Sequence, residues 1–208
     1  IHMKKRKILS AALAAALSLS LLTPAMAAEL PADDPTQAAQ ALYDLGLFNG
    51  TGVDENGQPI YDLERIPTRN EAVTMLVRLL GKDEEAKTGI WDIPFTDVDE
   101  WAKPYVGYAY ANKLTTGTSD TTFGGAQTVS PSQYLTFVLR AMGYESGTDF
   151  QWDKAWELTD TLGITRGEYG PDTPFTRGNV ALISHSALSA SPKGGDKSLL
   201  ESLGLGKP

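Results

Sequence analysis

A mainly α-helical fold, made of three helix–loop–helix repeats with short hairpin-like loops, is what this sequence of 208 residues predicts. Three observations carry that reading. First, one turn phrase occurs three times: Gly46-Leu47-Phe48-Asn49-Gly50, Lys113-Leu114-Thr115-Thr116-Gly117 and Gly163-Ile164-Thr165-Arg166-Gly167. Each copy follows a helix-like stretch (35–45, 101–112 and 152–162) and ends in a glycine suited to a left-handed turn. Second, each copy is followed by a helix start led by a hydroxyl. Thr68-Arg69-Asn70-Glu71 and Ser130-Pro131-Ser132-Gln133 have the spacing of a capping box, while Thr176-Arg177-Gly178-Asn179 keeps only the hydroxyl. Third, the apolar positions behind those starts align. Val73, Leu135 and Ala181 correspond, as do Met75, Phe137 and Ile183, and Leu80, Met142 and Leu188. Their spacing gives each helix one broad buried face.

Read from the start, residues 1–27 are a cloning remnant (Ile1-His2) followed by a secretory leader. Lys4 to Lys7 form its basic head and Ile8 to Leu22 its apolar run, and Ala25-Met26-Ala27 places cleavage before Ala28. The apolar run is short for a membrane span, which needs about 20 residues. Repeat one occupies 28–90, repeat two 91–147 and repeat three 148–192, with a linker and short helix at 193–208. The loop between the two helices is longest in repeat one. There Asn56-Gly57 between short apolar segments predicts a hairpin turn. Asp54 and Asn56 superficially suggest a calcium loop, but the glycine comes too early and no distal Glu falls in register. Gly81 and Gly143 stop the second helices of the first two repeats.

Composition narrows the function. The formal charge is -8, and removal of the basic leader leaves the remainder more acidic still. Nucleic-acid binding needs a surplus of Lys and Arg to neutralise phosphate, so it is excluded as a partner class. There is no cysteine, so stability rests on the core rather than on disulfides. Apart from His2, the one histidine is His185, inside the third long helix. No phosphate loop or metal-ligand cluster is visible, and no cofactor or metal is expected. Carboxylates are plentiful, and a glycosidase uses a pair of them. The repeats, however, fill the chain and leave no separate catalytic domain, so an enzyme is not expected.

These residues resemble the S-layer homology family. The second repeat matches best, through Phe95-Thr96-Asp97-Val98, Trp101-Ala102, Tyr105-Val106, Ala109, Gly117 and Phe123. The first supplies the Thr-Arg-x-Glu phrase at Thr68-Arg69-Asn70-Glu71, followed by Met75 to Leu80. The resemblance covers about residues 30–190. It implies a pseudo-threefold bundle with one central helix from each repeat and grooves between neighbours. It implies noncovalent anchoring to the cell wall through secondary cell-wall polysaccharide, which is acidic and often pyruvylated. No membrane contact is expected after leader cleavage. The ligand-binding residues it implies are Arg69, Arg177, Asp97 and Trp101, and more weakly Trp152, which lies one place out of register. The alternative reading is a structural surface module that docks a protein partner, for which 193–208 is the candidate tail.

The residue chemistry is compatible with an acidic saccharide. An arginine at the first helical position would sit among free backbone N–H groups at the positive end of the helix dipole. Its guanidinium can hold a carboxylate with two parallel hydrogen bonds, and a nearby Trp offers a flat face for a sugar ring. Capping alone accounts for Thr68 and Glu71, and core packing for Trp91 and Trp156. Pro131 occupies the first helical position in repeat two, so the groove using the 130–133 start is expected to be weak.

Overall fold

The computed structural model describes residues 33–206, and the expected leader and cleavage site lie outside them. Among the described residues there are eight α-helices and one two-stranded hairpin. The segment expected as repeat one supplies α1 (Pro35–Asp44), the strands β1 (Gly52–Val53) and β2 (Pro59–Ile60), α2 (Arg69–Leu79) and α3 (Asp83–Thr88). Repeat two supplies α4 (Lys103–Ala111) and α5 (Pro131–Ala141). Repeat three supplies a 3-10 turn (Trp152–Lys154), α6 (Ala155–Thr161) and α7 (Arg177–Ser189). The short α8 (Leu199–Ser202) follows. No described helix is long and apolar enough to cross a membrane.

The three hydroxyl-led helices α2, α5 and α7 all contact one another. Their aligned apolar residues are why: Val73, Leu135 and Ala181 are buried, as are Met75, Phe137 and Ile183. A polar pair between α5 and α7 is satisfied internally, since the Tyr134 and Ser184 hydroxyls lie 2.7 Å apart. A buried hydroxyl left unpaired would cost about 1–3 kcal/mol. The outer helices then pair across repeat boundaries. α4 of repeat two packs on α2 of repeat one, α6 of repeat three on α5 of repeat two, and α1 of repeat one on α7 of repeat three. The packing unit is thus staggered by one helix from the sequence unit, and the pairing of α1 with α7 closes the series on itself. α8 packs against α7 and buries Leu199, so the tail folds back on the bundle as far as residue 206.

Several local expectations hold, and three change. The capping boxes at Thr68 and Ser130 are formed. So is a third at Thr176, where Asn179 Oδ1 accepts the Thr176 N–H at 2.8 Å. Asparagine thus does the work expected only of Glu or Gln, because its shorter side chain still reaches the cap. The turn phrase is left-handed at its first residue in every copy, whereas its closing glycine is left-handed only in the third, where Gly167 has φ of 83°. Gly46, Lys113 and Gly163 have φ of 73°, 60° and 72°. The closing Gly117 is needed for space instead: a Cβ there would lie 2.3 Å from Ser119 O and 2.5 Å from Phe95. Third, the first-turn N–H groups are not free. Those of Arg69 and Asn70 donate to Gln127 O and Gly125 O, and those of Arg177 and Gly178 to Arg65 O and Leu63 O. A neighbouring loop lies across each helix start and uses its donors, so neither start is an anion site by itself.

Candidate functional site: a groove with two arginines

Arg69 leaves the start of α2 and enters a cavity of about 420 Å³ between repeats two and three. Its walls are Thr116, Gly117 and Thr118 from the turn after α4, Gln133, Thr136, Phe137 and Arg140 from α5, and Trp152. No Asp or Glu lines it. In a chain with 26 acidic residues against 18 basic ones, that is a local reversal of charge.

Each wall is fixed by its own hydrogen bonds. Arg69 is only 6% exposed. Its guanidinium lies between two rings, 4.8 Å from the Phe123 centroid and 5.0 Å from that of Phe137, a cation–π sandwich. Nη2 donates to Thr116 O at 2.9 Å, which ties the helix start to the turn. Nε has no partner among the described residues. Burial, and then the neighbouring Arg140, push the Arg69 pKa down to about 10, so it still enters the groove charged at neutral pH. Burial also lowers Arg140, which no described carboxylate pairs. Trp152 is held by its backbone. Thr136 Oγ1 donates to Trp152 O at 3.3 Å, and Ser132 Oγ to Asp153 O at 3.1 Å. This fastens the 3-10 turn to α5 while the indole stays 57% exposed.

The other expected residues lie elsewhere. Asp97 does not line the cavity. Its two oxygens accept the N–H groups of Phe123 and Gly124 at 2.7 and 2.8 Å. Desolvation works against its ionisation, but these backbone bonds outweigh it and hold the carboxyl below its ordinary range. Asp97 therefore positions Phe123, the ring on which Arg69 rests. Trp101 is exposed but lines none of the described cavities. Arg177 is buried and satisfied by the fold: Nε donates to Tyr61 O at 2.9 Å and Nη2 to Asn49 O at 3.3 Å, and the guanidinium lies over Phe48. Asp54 is likewise occupied, with Oδ1 accepting from the Asn56 and Gln58 N–H groups in the hairpin. The Arg69 cavity is the one that uses the 130–133 helix start, where Pro131 brings no charge. Gln133 of the 130–133 start lines it, and the charge that Pro131 lacks arrives from Arg69 and Arg140. Arg140 was missed because it sits in the last turn of a helix, where a cation is explained by the dipole alone.

One segment of this bundle matches a known family. Residues 94–130 match the model of the S-layer homology domain. The chain carries an S-layer homology domain and is a cell-surface, cell-wall-associated protein. It is 29% identical over 194 residues to the middle cell wall protein of Brevibacillus brevis, covering 88% of this chain and 18% of the relative. It is 28% identical over 196 residues to the surface layer protein of Brevibacillus choshinensis, covering 90% of this chain and 17% of the relative. A 105-residue stretch is 31% identical to an endoglucanase of Bacillus sp. strain KSM-635, covering 44% of this chain and 11% of that enzyme. The chain thus spans under a fifth of the length of these relatives, and its similarity to the enzyme is a shared segment.

Proposed function

We propose that this chain anchors to the cell wall by binding an acidic polysaccharide in the Arg69–Arg140 groove. One observation supports this above the others: two guanidinium groups line a single cavity with no acid beside them. Like charges held together cost energy unless an anion joins them. A carboxylate on a sugar, such as a pyruvyl group, supplies that anion and can engage guanidinium in two parallel hydrogen bonds. The Thr116, Thr118 and Gln133 side chains suit sugar hydroxyls, and the exposed Trp152 face suits a ring. No step of this requires chemistry on the ligand, so the role is adhesion. Sedimentation with purified walls tests it. The folded chain should co-sediment with intact walls and stay in solution when the polysaccharide has been stripped. Equal sedimentation with stripped walls would overturn the reading.

A further inference from the structure

A second cavity, of about 800 Å³, opens beside the first between the C-terminal ends of α4 and α5. The two share Thr116 and Arg140. The second adds Tyr110, Lys113 and Tyr144, and one acid, Glu145.

Lys113 supplies an independent observation. It holds φ at 60°, where the matching residues of the other repeats are Gly46 and Gly163. A side chain in this left-handed region costs backbone energy that glycine avoids. Packing does not repay it, because Lys113 is exposed, and no described carboxylate pairs with it. The fold needs the left-handed turn in every copy but not a side chain on it, and side chains held in this region cluster at functional positions.

We propose that the two cavities form one continuous cleft that holds at least two consecutive sugar units of the wall polysaccharide. The acidic unit lies between Arg69 and Arg140. The next unit, a neutral sugar, lies against Tyr110 and Tyr144. Lys113 donates to its oxygens and Glu145 accepts from its hydroxyls. With one cation and one acid of its own, the second cavity matches an uncharged polyol better than a second anion. This inference rests on the saccharide reading of the first cavity.

Calorimetry on the whole chain tests it, with a pyruvylated hexosamine as the one-sugar fragment and the same acidic unit linked to one neutral sugar as the two-sugar fragment. The two-sugar fragment should bind about tenfold more tightly than the single acidic sugar. Lys113→Gly should raise the melting temperature, by relieving the strain, while shrinking that ratio to about twofold. Equal affinity for both fragments, or a ratio that Lys113→Gly leaves intact, overturns the two-unit cleft and leaves the first cavity standing. No binding of either fragment overturns the saccharide reading itself.

Discussion

Arg69 and Arg177 begin with the same sequence context, Thr-Arg at a capped helix start, and end in opposite circumstances. Around Arg177 the fold has closed the electrostatics. Its donors reach the Tyr61 and Asn49 carbonyls. Arg78, which occupies in α2 the place that Arg140 occupies in α5, pairs with Asp83 at 2.9 Å and donates to the Tyr105 hydroxyl at 3.3 Å. Around Arg69 the electrostatics stay open, because among the described residues Nε lacks a partner and Arg140 has no carboxylate. A motif residue therefore becomes a binding residue or a structural one according to what the neighbouring repeat brings to it. The third repeat repeats the lesson. Its groove contains Arg166, but Asp33 and Glu168 line the same cavity, and Asp33 pairs with Arg166 at 3.0 Å.

The contrast is sharpest in stability against binding. Arg177→Ala should destabilise the fold by about 2–3 kcal/mol, because it strands two backbone carbonyls in a buried site. Urea unfolding measures the loss, and wall binding by the remaining folded protein should persist. Arg140→Ala should do the reverse. Its last-turn position contributes only tenths of a kcal/mol to the helix, while loss of a charged hydrogen bond costs the complex about 1.5–3 kcal/mol, or roughly 10- to 100-fold in affinity. If Arg140→Ala unfolds the protein and Arg177→Ala abolishes binding at full stability, the two regions have been assigned the wrong way round.

How much of this was legible in the sequence follows from the range of each signal. The repeat phrase, the caps and the aligned apolar faces are local and periodic, and they located seven of the helices, including the tail helix α8. The helix α3 went unread because Asp83-Glu84-Glu85 is an acidic turn with no apolar period and no side-chain cap. The staggered pairing of α1 with α7 is a long-range outcome of burying three helical faces at once. At the site, Arg69 and Trp152 were readable as types, and the structure brings them together. Asp97 was readable as a residue, but its partners Phe123 and Gly124 were not, because they lie 26 and 27 positions away. Arg140 was invisible because only its missing partner makes it notable, and an absence of pairing has no sequence signature.

Acid provides a further way to separate the regions. Burial opposes ionisation of Asp83, but hydrogen bonds from Lys87, Arg78 and Tyr105 outweigh it and hold the carboxyl down to about 2. A carboxyl depressed in the folded state contributes stability that is complete above its unfolded pKa, near 3.9, and disappears as pH falls through the folded value. The urea midpoint should therefore fall steadily between about pH 4 and pH 2. Arg78→Met removes one of the bonds that depress Asp83, so its midpoint should start lower and fall less steeply over the same interval. Arg140→Met should keep the wild-type slope, since Arg140 holds no carboxylate. A flattened slope in Arg140→Met would mean that the open groove carries a hidden acid partner, which would undo the comparison.

The smallest expected effect lies with the two exposed tryptophans. Trp152 and Trp101 are 57% and 52% exposed, so exposure alone does not separate them, and each precedes the first α-helix of its repeat. They differ in what stands beside them. Trp152 borders the cavity that holds two guanidinium groups with no acid lining it. Trp101 belongs to the repeat whose first helix packs on α2, where Arg78 is already neutralised by Asp83. A sugar ring stacked on Trp152 buries apolar surface on the indole, so Trp152→Ala should weaken saccharide binding roughly fivefold, about 1 kcal/mol. Trp101→Ala should change it less than twofold, with both variants as stable as the parent because each indole is half in water. Titration of the two variants with one acidic wall fragment makes the measurement. Equal losses would mean that a sugar also sits beside Arg78, and that pairing with Asp83 does not close a groove to ligand.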